Sequence, residues 1–200
     1  MSVVFTTISK DFIALCADKQ RITATGQKKD DMTKIEKWSE AVAVGMGGDL
    51  SLGEYIRSTI HRYVADTGIS NFGVQEIADL FVHSYHSAVN SQAVDPSADT
   101  KFIVAGKFMD KKLGAVVIRV AQGKTDTELY MASKVPATLI LDPRDVSAEQ
   151  CNMHLAKALK SVEGKYLKNP LESIHRRAVR NVSEHSRFVS KDSDYLLIKA

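Results

Sequence analysis

With 200 residues, 44 % of them hydrophobic and 26 % charged, the chain has a globular composition and the length to bury about 70 % of its unfolded surface around one core, so a single domain over residues 1–200 is expected. Its 27 Lys and Arg are interspersed with 24 Asp and Glu; no basic stripe of the kind that follows phosphates stands out, which argues against nucleic acid as a partner. Cys16 and Cys151 are the only cysteines, too few for a disulfide framework or a zinc pattern and compatible with a reducing, cytoplasmic setting. No window approaches the roughly 20 apolar residues of a membrane helix, and the start has no charged region leading into an apolar segment and cleavage site, so neither membrane insertion nor export is expected.

Residues 3–8 and 12–17 are short β-rich runs around Ser9-Lys10-Asp11, the spacing and chemistry of a hairpin. A polar stretch through Gly26 and Asp31 leads to a second predicted strand pair, residues 32–37 and 41–46, turning at Trp38-Ser39-Glu40 and closed by Gly47-Gly48. The period then changes. Leu52, Tyr55, Ile56, Thr59, Ile60 and Tyr63 recur at steps of three and four, predicting an amphipathic helix over 50–65. Ile77, Ala78, Phe81, Val82 and Tyr85 predict another over 74–89, joined to the first across 68–73.

Strand signals return at 101–109, 113–121 and 128–132, with turns at Asp110-Lys111-Lys112 and Gln122-Gly123-Lys124, and residues 135–141 add a further strand. Ser147, with Gln150 in the capping-box position, starts a helix running towards Val162; Asn169-Pro170 starts another carrying Leu171, Ile174, Ala178 and Val182. Residues 195–198 form a last strand. Helices arriving in pairs between strand groups do not give the alternating β-α-β order of a doubly wound sheet. They fit an α+β class, a four-layer αββα sandwich of two antiparallel sheets between helix layers.

Ser2, Lys10-Asp11, an apolar run ending in Ala17-Asp18, Lys34-Ile35 and a strand entering Gly47-Gly48-Asp49 together resemble the proteasome β-subunit family of N-terminal-nucleophile (Ntn) hydrolases. The resemblance is densest over residues 2–49 and stays compatible to residue 200. In that family the mature N-terminal residue is the nucleophile, with an Asp sixteen positions later and a Lys sixteen beyond it. Ser2, Asp18 and Lys34 reproduce this spacing without a gap. A hydroxyl attacks an amide only when a base takes its proton, and a free α-amine, with a reference pKa near 8, is such a base on the same residue. The resemblance therefore implies an amide or peptide hydrolase, threonine-peptidase-like but with Ser2 as nucleophile once Met1 is removed. Lys34 would lower the pKa of its neighbours, Asp18 would orient Lys34, and a backbone N–H near Gly48 would serve the oxyanion. Thr6-Thr7-Ile8 is a rival start, but it leaves too short a distance to Asp18 and consumes most of the first strand.

Ser133 and Ser190 are the candidates for the family's supporting serines, and Ser186 falls where an aspartate is expected. Met32 and Met46 match positions lining the substrate side-chain pocket, and read equally well as strand core. His83 and His86 share a helix face without a third ligand signature, so neither metal nor cofactor is implied. Without Ser2 in register, Asp18 and Lys34 would read as an ordinary ion pair. The family's rings imply a homo-oligomer, with a ring as its form; the sequence identifies no ATPase partner. Because function resides in the site rather than the fold, a catalytically inactive assembly or scaffold subunit is the alternative.

Overall fold

The structure, a computed structural model, describes residues 2–23, 25–67, 72–163 and 169–200. Its elements in chain order are β1 (Val4–Ile8), β2 (Phe12–Asp18), β3 (Arg21–Ile22), β4 (Lys28–Lys29), β5 (Ile35–Lys37), β6 (Val42–Gly48), α1 (Leu50–Thr67), α2 (Val74–Asn90), β7 (Thr100–Lys107), β8 (Leu113–Ala121), β9 (Lys124–Met131), β10 (Ala137–Leu141), α3 (Ala148–Val162), α4 (Pro170–Ser183) and β11 (Ser193–Lys199). This is a mixed α+β chain with antiparallel sheets. One sheet has the order β10-β1-β2-β11, another β5-β6-β7-β8-β9, and β3 pairs with β4.

The first hairpin forms as the sequence predicts. Ser9 closes it: its hydroxyl oxygen accepts the N–H groups of Asp11 and Phe12 at 3.2 and 3.1 Å, which sets the register Val4↔Ala17 through Ile8↔Ile13. Side chains alternate across β1, so Val4 and Ile8 face the second sheet while Phe5 faces α3 and α4. Both faces are covered, so all five residues of β1 are buried, Thr6 and Thr7 included. Between the sheets, Val4, Ile13 and Leu15 meet Ile35, Ala43, Ile103 and Val117. On the far side of the five-stranded sheet, Val44, Met46, Phe102 and Ile118 pack against Leu52 and Ile56 of α1 and Ile77 and Phe81 of α2. Val3, Phe5 and Cys16 pack against Cys151 of α3 and Ala178, Val179 and Val182 of α4.

Where expectation and structure differ, the cause is local. The pair β3–β4 lies in the polar stretch, where no apolar alternation announces a strand; Arg21 forks onto Asp31 at 2.6 and 2.9 Å beside it. The strand expected over 32–37 shortens to Ile35–Lys37 because the Met32 N–H is drawn to the Lys19 carbonyl at 3.1 Å instead. β9 begins at Lys124 rather than 128: it is a largely exposed edge strand, so its first residues are polar, and Gln122 and Gly123 at φ 52° and 74° make the tight two-residue turn before it. The capping box forms, with Ser147 Oγ accepting the Gln150 N–H at 3.3 Å and Gln150 Oε1 accepting the Ser147 N–H at 2.9 Å. The α1–α2 joint expected across 68–73 lies at 68–71 outside the described residues. No helix among the described residues is long and apolar enough to cross a membrane.

Candidate active site

Antiparallel pairing of β1 and β2 brings Asp18 to the start of β1. The Val3 N–H donates to Asp18 Oδ1 at 3.0 Å, and the Asp18 N–H donates back to the Val3 carbonyl at 3.4 Å. Lys34, one residue before β5, donates from Nζ to Asp18 Oδ2 at 2.7 Å. The same oxygen accepts the N–H groups of Gln20 at 3.0 Å and Ser190 at 3.4 Å. Asp18 is completely buried and Lys34 is 4 % exposed. Burial pushes the Asp18 carboxyl above its ordinary value, with Lys34 and the backbone donors pulling the other way. Burial lowers Lys34 from the usual lysine value against the attraction of Asp18. The result is a lysine whose ammonium is held by a fixed carboxylate while its charge is poorly solvated.

Ser2 precedes β1, is 5 % exposed, and lines a cavity of about 820 Å³ together with Lys34, Met32, Met46, Gly47 and Gly48. Gly47 faces it closely: a Cβ built there would stand 3.6 Å from the Ser2 carbonyl oxygen and 3.7 Å from Ser2 Cβ. Gly48 has φ +113°, and a Cβ there would stand 2.4 Å from the Asp99 carbonyl oxygen. That conformation is glycine's, and the collision is with backbone that cannot swing away. Gly48→Ala is expected to lower stability by about 1–3 kcal/mol, measured by urea denaturation; a change below about 0.5 kcal/mol would show that the β6 end relaxes freely. Met32 and Met46 belong both to the cavity wall and to the buried cluster beneath α1 and α2.

Two serines behave differently from each other. Ser190 lies beside Asp18 through its N–H, but its hydroxyl accepts the Lys19 N–H at 3.3 Å and donates to the Asp192 carbonyl at 3.0 Å. Ser133 lies apart from the residues that line the cavity. Its carbonyl accepts the Lys10 N–H at 3.2 Å and its hydroxyl donates to the Val135 carbonyl at 2.6 Å, at the β1–β2 turn. The register explains the displacement: β10 runs antiparallel to β1, with Ala137 opposite Ile8 and Leu141 opposite Val4. Residues before β10 therefore sit at the hairpin end, and residues after it sit at the Ser2 end.

No family model matches this chain by sequence, and no curated protein does. In structure it is similar to Anbu (ancestral beta-subunit) from Yersinia bercovieri at 11 % identity and TM-score 0.70, over 98 % of this chain and 81 % of that one. The Anbu (Gly-1) mutant from Hyphomicrobium sp. strain MC1 matches at 11 % identity and TM-score 0.71, over 100 % and 83 % of the two chains. Eukaryotic HslV from Trypanosoma brucei matches at 11 % identity and TM-score 0.56, over 99 % of each. The chain shares its fold with these Anbu and HslV structures.

Within that fold, the residues that sequence reasoning passed over are those contributed after β10 and by the loop before β7. Arg144, Phe188 and Asp99 all line the cavity. None lies in a periodic pattern or a motif, and only the direction of β10 identifies the 142–145 turn as cavity wall. Ser186, on the same side, donates its hydroxyl proton to Asp145 Oδ1 at 2.7 Å.

Proposed function

We propose that residues 1–200 form one proteasome-like Ntn-hydrolase domain, a four-layer αββα sandwich, and that Ser2, freed by removal of Met1, is the nucleophile of an amide or peptide hydrolase. The observation that carries this reading is the convergence of Ser2 and Lys34 on one cavity while Asp18 grips both Lys34 Nζ and the Val3 N–H beside Ser2. In this mechanism the Ser2 α-amine takes the proton from Oγ as Oγ attacks the amide carbon. The backbone at Gly48 stabilises the oxyanion. The resulting α-ammonium protonates the departing amine, leaving an ester on Ser2 that water hydrolyses with the α-amine again as base. The Lys34 cation keeps the α-amine in its neutral, proton-accepting form by raising the cost of a second nearby positive charge. Met32 and Met46 give the side-chain pocket an apolar preference.

The test combines intact mass with a hydroxyl-reactive β-lactone. Expected is a protein lacking Met1 that gains one adduct, and a Ser2→Ala protein that gains none. Retained Met1 or an acetylated Ser2 removes the base and defeats the mechanism. The second reading, an inactive assembly or scaffold subunit, draws support from the remote position of Ser133 and the committed hydroxyl of Ser190; a free Ser2 that never labels selects it. Under either reading the chain works in the cytoplasm and self-associates, with a ring as the family's form, and light scattering that returns a monomer at every concentration refutes the assembly.

A further inference from the structure

Among the described residues, three cationic side chains line the cavity: Arg21, Lys34 and Arg144. Arg21 is committed to Asp31 through two bonds of 2.6 and 2.9 Å, and Lys34 to Asp18 at 2.7 Å. Arg144 has no carboxylate partner among the described residues. The acids that flank it in sequence are both engaged elsewhere. Asp142 Oδ1 accepts Lys101 Nζ at 2.9 Å, while Asp145 accepts the Ser186 hydroxyl at 2.7 Å and the Arg187 N–H at 2.9 Å. Pro143 between them is buried, so the turn is pinned on both sides of an arginine left unneutralised. Its position follows from β10, which ends at Leu141, opposite Val4 and 3.8 Å from the Cβ that Gly47 would carry.

We infer that Arg144 is the specificity-determining residue of this cavity and receives a carboxylate of the substrate. This inference rests on the hydrolase reading for its word "substrate", but its binding chemistry stands apart from turnover. A guanidinium presents paired N–H donors whose spacing matches the two oxygens of a carboxylate, and an arginine freed of internal partners keeps that fork available. The opposite charge is also arranged. Asp49, Asp95 and Asp99 line the cavity as well, with Asp49 Oδ1 accepting the Leu52 N–H at 3.0 Å and Asp95 Oδ1 the Ser97 N–H at 2.8 Å. An anionic substrate is repelled by these aspartates and drawn to Arg144, which fixes its direction through the cavity with an apolar side chain left for Met32 and Met46. The carboxylate belongs either to a peptide C-terminus or to an acidic side chain, and the two sources are separable.

The experiment measures binding to Ser2→Ala protein, which cannot turn substrate over, using acetyl-Ala-Ala-Leu-Ala as free acid and as amide, and acetyl-Ala-Ala-Leu-Glu-amide against its Gln counterpart. One acid is expected to bind about tenfold tighter than its neutral isostere, and the pair that discriminates identifies the source. Adding Arg144→Ala should bring the ratio to about one, Arg144→Lys should retain part of it, and Arg144→Glu should invert it; the exposed position of Arg144 predicts unchanged melting temperatures. Equal binding of both acid and neutral pairs, no binding of either acid at millimolar concentration, or a preference surviving Arg144→Ala overturns the inference. Failure of the hydrolase reading looks different: Ser2 never labels in the wild-type protein, yet the acid is still preferred.

Discussion

Asp18→Ala is expected to destabilise the protein by about 5 kcal/mol and to abolish labelling of Ser2. The residue is completely buried and accepts Lys34 Nζ together with the backbone N–H groups of Val3, Gln20 and Ser190. Removing the carboxylate strands a buried ammonium, which by itself costs about 3–5 kcal/mol, and leaves three N–H groups without an acceptor. Against a total stability of about 5–15 kcal/mol, that change approaches global unfolding. Asp18→Asn keeps one oxygen for the backbone donors but turns an amide NH2 towards either them or Lys34, so it should fall between wild type and alanine. Combining Asp18→Asn with Lys34→Met removes the stranded cation and should recover more than about 1 kcal/mol relative to the sum of the single changes. Urea denaturation measures all of these. An Asp18→Ala protein within about 1 kcal/mol of wild type would mean that Asp18 and Lys34 are no more than the solvated ion pair their isolated residue types suggest.

That pair illustrates how far the sequence was legible. The family spacing singles out Asp18, and the hairpin pinned by the Ser9 turn agrees with it, because a residue at the end of β2 must return to the start of β1. Lys34 is different: no periodicity links it to Asp18, and only the family spacing singles it out before the 2.7 Å contact is seen. Helices α1 and α2 were readable from their apolar faces, and α3 from Ser147 and Gln150, because those signals are local. The separation of Ser133 from Ser2 has a non-local origin. Sequence distance says that 133 and 144 are neighbours, whereas the antiparallel run of β10 separates them along the length of β1 and delivers only the later residues to Ser2. Strand direction at a sheet edge depends on pairing with a distant strand, and no local pattern carries it.

Acid is expected to weaken the protein through His175, on α4. This imidazole is 1 % exposed; its Nε2 lies 2.8 Å from Thr7 Oγ1, which lies 2.8 Å from Thr138 Oγ1, and its Nδ1 has no hydrogen-bond partner among the described residues. Phe5 and Tyr195 flank the ring at centroid distances of 6.3 and 6.1 Å. The favoured neutral tautomer carries its proton on Nε2, donating to Thr7, since a proton on Nδ1 would be a buried donor with no acceptor. Protonation forces that donor into existence, and burial lowers the pKa from 6.5 to about 4. The folded value lies below the unfolded one, so the unfolded chain binds the proton first as pH falls. The stability contribution is therefore complete above pH 6.5, declines between pH 6.5 and 4, and is gone below the folded pKa, a loss of about 3 kcal/mol. In urea titrations across this window the slope of stability against pH should approach one proton, about 1.4 kcal/mol per pH unit. His175→Phe, which leaves Thr7 and Thr138 to bond each other, should flatten that slope whatever it does to the plateau. An equally steep slope in the phenylalanine variant would assign the acid sensitivity to other groups.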